Sequence, residues 1–207
     1  MKTGDYRNGL DALQGIAFVI DRDGNISSIG SKHWDAFACH NDAPDLRAET
    51  LIGQNLFDYV SGADLREQLK QVVARVVDRP DTQLVLDFRC DAPARLRRIR
   101  QTISALPGSG TKDEVLFQSV EVEAHDRPPI NLFRRHQDLP LDTKDDRPIV
   151  RLCSWCQRVQ FAPIGGDDWL DTEEFARKGG PDQTRITHCI CDDCFKLQDI
   201  DQSPPDH

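Results

Sequence analysis

Two short turns, Cys153-Ser154-Trp155-Cys156 and Cys191-Asp192-Asp193-Cys194, constrain this chain more than any other feature. A C-x-x-C turn aims two sulfur atoms at one point, and two such turns supply the four soft ligands of a tetrahedral metal site. The two turns are separated by 34 residues, 157–190, so that segment is expected to fold back and bring them together. The gap is longer than in the commonest zinc ribbons, so the assignment rests on the paired turns and not on a ribbon topology. Five of the seven cysteines fall within residues 149–200. A segment that small cannot readily support itself by hydrophobic burial, and a metal would staple it.

Zinc is the favoured ion, held by Cys153, Cys156, Cys191 and Cys194. The alternatives are an iron–sulfur cluster and a metal-free dithiol redox switch. Four thiolates saturate zinc, which argues for a structural site over a catalytic one. His188 and Cys189 directly precede the second pair. His188 could replace one thiolate or hydrogen-bond to a ligand sulfur, and Cys189 could compete for the metal or stay free.

No apolar stretch reaches the roughly 18 to 20 residues of a membrane span, and the first fifteen residues lack the apolar core of a secretory signal. The expected location is the cytoplasm, where clustered cysteines argue for metal or redox chemistry over disulfides. The formal net charge is −9, and residues 150–207 carry six Lys and Arg against eleven Asp and Glu. A nucleic-acid reading head needs cations for phosphates, so this acidity disfavours one.

The N-terminal two thirds read as α+β. Residues 15–20 form an apolar, β-leaning run, followed by the turn Asp21-Arg22-Asp23-Gly24 and a second strand through Ile26 and Ile29. Trp34, Phe37 and Ala38 mark the buried face of a short helix. A long helix follows: Ser61 and Asp64 resemble a capping box, Leu65, Leu69, Val72, Val73 and Val76 keep helical spacing, and Arg79-Pro80 ends it. Leu84, Leu86, Phe88 and Cys90 alternate with polar residues as in a half-buried strand, and 95–106 and 115–122 complete the set. The order predicts a five-stranded antiparallel sheet with helices on one face. Cys90 is expected to be a small core residue. Arg95, Arg97, Arg98 and Arg100 are expected to divide between the two faces of a solvated edge strand.

Three segments follow from this: a sensor-type domain at 10–124, a linker at 125–148 and a four-cysteine module at 149–200. Ile130, Leu132 and Phe133 are candidates to dock on the sheet. Trp169, Phe175 and Ala176 are expected to share a helical face over the metal turns, with Asp171, Glu173 and Glu174 solvated.

From about residue 10 to 123, this element order resembles a PAS domain. The residues that carry the resemblance are Val19-Ile20-Asp21-Arg22-Asp23-Gly24-Asn25-Ile26, then Trp34 and Phe37, then Leu51-Ile52-Gly53-Gln54-Asn55-Leu56-Phe57-Asp58-Tyr59-Val60. The resemblance implies sensing of a small molecule, light or redox state, or protein contact. Flavin-binding photosensory members carry their reactive cysteine in a segment like 53–57; here Leu56 stands in that place and can form no cysteinyl adduct. Haem-binding members commonly ligate iron from the long helix, and residues 62–78 contain no histidine. His33 and His40 read as solvated or hydrogen-bonded side chains.

The tail resembles a C-terminal extension of small bacterial PAS proteins and of some receiver-containing proteins. Its parts here are Cys153-Ser154-Trp155-Cys156-Gln157-Arg158, Trp169-Leu170-Asp171-Thr172-Glu173-Glu174-Phe175 and Thr187-His188-Cys189-Ile190-Cys191-Asp192-Asp193-Cys194. Cys189 replaces a usual glycine and Asp192 a usual proline. Together the two resemblances imply a non-enzymatic bacterial signalling protein that acts through a protein partner or a homodimer, with a small-molecule ligand a further candidate. The alternatives are a redox or metal sensor working through the cysteine cluster and, lower in rank, a zinc-dependent nucleic-acid-binding regulator. The sequence carries no phosphate-cradling glycine loop, activated-serine motif or metalloprotease helix.

Overall fold

The apolar run after Gly15 forms strand β1 (Ile16–Asp21), which turns back into β2 (Ile26–Ile29). Asp21 Oδ1 accepts from the backbone N–H of Asp23 at 3.1 Å and of Asn25 at 2.8 Å, an Asx-type closure of the turn. Gly24 completes it at φ +91°, and a Cβ there would lie 2.4 Å from the Phe57 ring. In the computed structural model, the described residues are 7–41, 43–106, 113–133 and 146–200. They divide into two compact units, one within residues 7–88 and 98–124 and the other within residues 89–97 and 125–200.

In the first unit, β1 and β2 join β3 (Gln83–Arg89), β4 (Arg95–Leu106) and β5 (Glu114–Asp126) in an antiparallel sheet of order β2-β1-β5-β4-β3. The pleat sends alternate β1 side chains to opposite faces. Phe18 and Ile20 enter the main core, while Ala17 and Val19 pack with Leu10 of α1 (Arg7–Ala12). Phe18 lies opposite Phe117 of β5, and their rings stack at 4.9 Å. The helices α2 (Ser31–His40), α3 (Ala48–Leu51) and α4 (Ala63–Asp78) supply the other side of that core through Trp34, Leu51, Val73 and Val76. Trp34 Nε1 donates to the Leu46 carbonyl at 2.7 Å, which satisfies its buried polar end.

Two local expectations are corrected. The start of α4 is no capping box: Gly62 takes the N-cap position at φ +94° without a side-chain cap bond. Nor is β4 an edge strand, because it pairs with both β3 and β5. Its arginines do diverge and each finds a partner. Arg100 donates twice to Asp87 at 2.8 Å, Arg98 lies 3.5 Å from Glu123 and Arg95 lies 3.0 Å from Asp126, while buried Arg97 donates to the Cys90 carbonyl at 2.7 Å.

The second unit is built on a three-stranded sheet of order β7-β6-β8, from β6 (Ile149–Cys153), β7 (Val159–Gln160) and β8 (Arg185–Cys189). Strand β6 runs antiparallel to β7 and parallel to β8. Helices α5 (Ala162–Gly165), α6 (Thr172–Arg177) and α7 (Asp192–Ile200) complete it. Its core holds Val150, Leu152, Val159, Leu170 and Phe175, together with Ile130 and Leu132. The last two were expected on the five-stranded sheet. They serve this smaller core instead, which has few apolar residues of its own; the Phe133 side chain lies outside the described residues. Trp169 and Phe175 also part company: Trp169 packs against the cysteines and Phe175 meets Phe161 edge-on at 6.0 Å. No helix among the described residues is long and apolar enough to cross a membrane.

Candidate metal centre

The parallel pairing of β6 and β8 brings the two C-x-x-C turns together. Its register sets Cys153, the last residue of β6, opposite Cys189, the last of β8. Both strands therefore end side by side, and each runs directly into one turn. The first turn is closed by Gln157 N–H donating to the Cys153 carbonyl at 2.9 Å, with Gln157 at φ +55°. The second opens α7, where Phe195 N–H donates to the Cys191 carbonyl at 2.9 Å. Between them, Ser154 N–H donates to the Cys189 carbonyl at 2.8 Å.

The sulfur atoms of Cys153, Cys156, Cys191 and Cys194 all lie within 4.8 Å of one another. The Cys156 and Cys191 sulfurs are 3.7 Å apart. A tetrahedral ion with metal–sulfur bonds of about 2.3 Å has sulfur–sulfur edges of about 3.8 Å, so the spacing fits such an ion. Cys153, Cys191 and Cys194 are buried, Cys156 is half-buried, and Trp155, Trp169 and Ile190 pack around them.

Two kinds of N–H donor reach these sulfurs. Cys191 N–H points at Cys153 Sγ at 3.4 Å. The Arg158 guanidinium donates from Nε to Cys156 Sγ at 3.3 Å and from Nη2 to Cys191 Sγ at 3.2 Å. Nη2 also meets Asp193 Oδ2 at 2.7 Å. The thiols differ in their ionisation, first through the bond between Cys153 and Cys156 and through burial. The hydrogen bond from Cys153, then Arg158, brings Cys156 down to about 4 against the opposing effect of burial. The same bond, followed by burial, pushes Cys153 up. Burial first, then the charge on Cys156, pushes Cys194 up to about 12. A bound divalent cation would let all four ionise together.

His188 and Cys189 do not join the four sulfurs. His188 is exposed, with Nδ1 3.5 Å from Ser154 Oγ, and Cys189 Sγ lies 3.8 Å from the Leu152 carbonyl. Both are still within β8, one residue or more before the chain turns toward the cluster. Cys39 is exposed, and Cys90 is half-buried with its thiol pushed up by burial. Of the histidines weighed for haem, His33 is half-buried and His40 exposed.

A polar cluster beside the first turn escaped the sequence reading. Asp91, whose side chain is fully buried, pairs with Arg89 and, at 3.0 Å, with Arg127; both guanidinium groups also pair with Glu173. Glu173 was expected on a solvated face. Burial works against its ionisation, but its own backbone N–H and the two guanidinium groups outweigh burial and hold its carboxyl below the usual range. Such a cluster has no periodicity, and its members come from three distant segments, so nothing in the spacing announces it.

No protein-family model and no curated protein matches the sequence. Among solved structures, the chain is similar to the PAS domain of BvgS from Bordetella pertussis, at 15% identity, over 56% of this chain and 83% of that one, with a TM-score of 0.42. It is also similar to the photoactive yellow protein domain of the sensor histidine kinase Ppr from Rhodospirillum centenum, at 17% identity, over 54% and 95%, with a TM-score of 0.41. The first unit has the five-stranded antiparallel sheet with packed helices that the element order predicts, and the four cysteines of the second form a group that can hold a metal ion.

Proposed function

We propose that this is a non-enzymatic signal-transduction protein, in which the PAS-type unit senses a small ligand or a protein partner and a structural zinc ion staples the C-terminal unit. The observation that carries the reading is the convergence of four sulfurs from two C-x-x-C turns. An all-sulfur tetrahedral set favours zinc or an iron–sulfur cluster, and thiolates from four residues leave zinc no position for a substrate. Cys153, Cys156, Cys191 and Cys194 would hold the ion, which supplies the cross-link that a small core needs. Free thiols persist in a reducing compartment, which supports a cytoplasmic location, and the resemblance of the tail to an extension of small bacterial PAS proteins supports a bacterial context. Output passes to a signalling partner or a second copy of the chain, and the acidity of residues 150–207 disfavours nucleic acid in that role.

A second reading is a redox or metal sensor. It is favoured by Cys189, a further thiol set opposite Cys153 in the β6–β8 register. Oxidation of the ligand thiolates would release the ion.

Elemental analysis of the full chain, purified under reducing conditions without chelator, tests the proposal. About one zinc per chain, lost in Cys153→Ser and Cys191→Ser, supports it. Iron with visible absorbance would favour the redox reading, and folded protein without metal would overturn the metal half of the account.

A further inference from the structure

We propose that Arg158 is the positioning residue of this centre, a guanidinium clamp that joins one sulfur of each turn and offsets the excess charge of a four-thiolate site. The inference rests on the reading of the four cysteines as a metal site. Four thiolates around a divalent cation leave a net charge of −2, held in a mostly buried cluster where uncompensated charge is costly. Arg158 is the cation whose nitrogen atoms contact that cluster among the described residues, at 3.3 Å from Cys156 Sγ and 3.2 Å from Cys191 Sγ.

The geometry is that of a fork. Nε addresses the first turn and Nη2 the second, so one rigid planar group spans sulfurs 35 residues apart in sequence. Asp193, inside the second turn, accepts from the same Nη2 at 2.7 Å. The Cys153 N–H donates to the Arg158 carbonyl at 2.9 Å, so the backbone of Arg158 is also tied to the start of the first turn. A lysine would bring its charge to the cluster but lacks the fixed, planar pair of N–H directions that the guanidinium aims at the two sulfurs. Arginine N–H groups on metal-bound sulfur draw electron density from it, which steadies the thiolate form.

The test uses the full chain loaded with zinc, and measures affinity by competition with a chromogenic chelator. Arg158→Met is expected to bind zinc about 10- to 100-fold more weakly, the usual cost of losing a residue that supports metal ligands. Arg158→Lys, which keeps the charge without the fork, is expected between that variant and the parent. Arg151→Met removes a nearby cation that lies over the Trp169 ring at 5.5 Å, and is expected to match the parent. Loading with cobalt(II) separates sulfur bonding from a general packing effect. Thiolates stripped of N–H donors are easier to oxidise, so the sulfur-to-cobalt charge-transfer band of Arg158→Met should move to lower energy. Parental zinc affinity and an unmoved band in Arg158→Met would overturn the clamp alone. A parent chain that binds no metal would overturn the centre and the clamp together. Should Arg158→Met fail to fold, Arg158→Lys decides, and parental affinity and an unmoved band there would overturn the proposal.

Discussion

The backbone N–H of Arg89 donates to the carbonyl oxygen of Trp155 at 2.7 Å, and the N–H of Asp91 donates to Gln157 Oε1 at 2.9 Å. Within the second unit, the tip of the β3–β4 hairpin is thus bonded to the first cysteine turn at two points. The turn that presents Cys153 and Cys156 is shaped from outside as well as by its own closure.

Gln157 therefore does two things at once, taking a left-handed backbone conformation and accepting a buried bond. Gln157→Ala should lower stability by about 1–3 kcal/mol, because the Asp91 N–H loses its partner. Gln157→Gly loses the same bond but relieves the left-handed strain, and should be less damaging by about 1 kcal/mol. Denaturant unfolding of the two variants checks the order; equal losses would show that the φ of +55° costs nothing.

Asp91 is the buried anion between Arg89 and Arg127, and it also accepts from Arg97 N–H at 3.1 Å. Asp91→Ala removes the fully buried carboxylate and leaves two largely buried guanidinium groups to share the half-exposed Glu173. A loss of about 3–5 kcal/mol is expected by equilibrium unfolding.

Glu173 gives the acid side of the stability profile a definite sign. Its carboxyl is held below the ordinary value of 4.5, so its contribution is fully present above that pH and is lost as pH falls through its lower folded value. Unfolding midpoints measured from pH 5 downward should fall more steeply in the parent than in Glu173→Gln. Parallel profiles would show that the pairing with Arg89 and Arg127 makes no net contribution.

The periodic parts of this fold were legible from sequence, and the aperiodic ones were not. Alternation in residues 84–90 and helical spacing from Leu65 to Val76 gave β3 and α4 because each reports a face turned to one core. The C-x-x-C turns gave the ligand candidates because sulfur geometry is local. The parallel β6–β8 pairing that joins them is a long-range contact, and no local signal encodes it. The clamp of Arg158 and the ionic partners of Glu173 depend on side chains meeting across 33 to 84 residues of sequence. Ser61 misled for the opposite reason: its pattern suits a cap, but Gly62 intervenes with a conformation that places the cap elsewhere.

Gly24 offers a test of the first unit alone. Its φ of +91° is strained for any L side chain, and a methyl group would strike the Phe57 ring. Gly24→Ala should cost at least about 2 kcal/mol. The thermal transition reports it, and an unchanged midpoint would mean that the turn has room the structure does not show.

Removal of the metal should act on the second unit first. Its core is small, and the cysteine cluster stands in for the apolar area it lacks. Treatment with a strong chelator under reducing conditions is expected to abolish dispersed amide resonances from residues 149–200 while those from the strands around Phe18 and Phe117 persist. Retention of both sets in demonstrably metal-free protein would remove the stapling role.

X-ray absorption at the zinc edge, on the full chain as purified, tests the central claim most directly. The account predicts a single shell of four sulfur neighbours at about 2.3 Å. A shell that includes nitrogen or oxygen at about 2.0–2.2 Å would contradict the four-cysteine assignment.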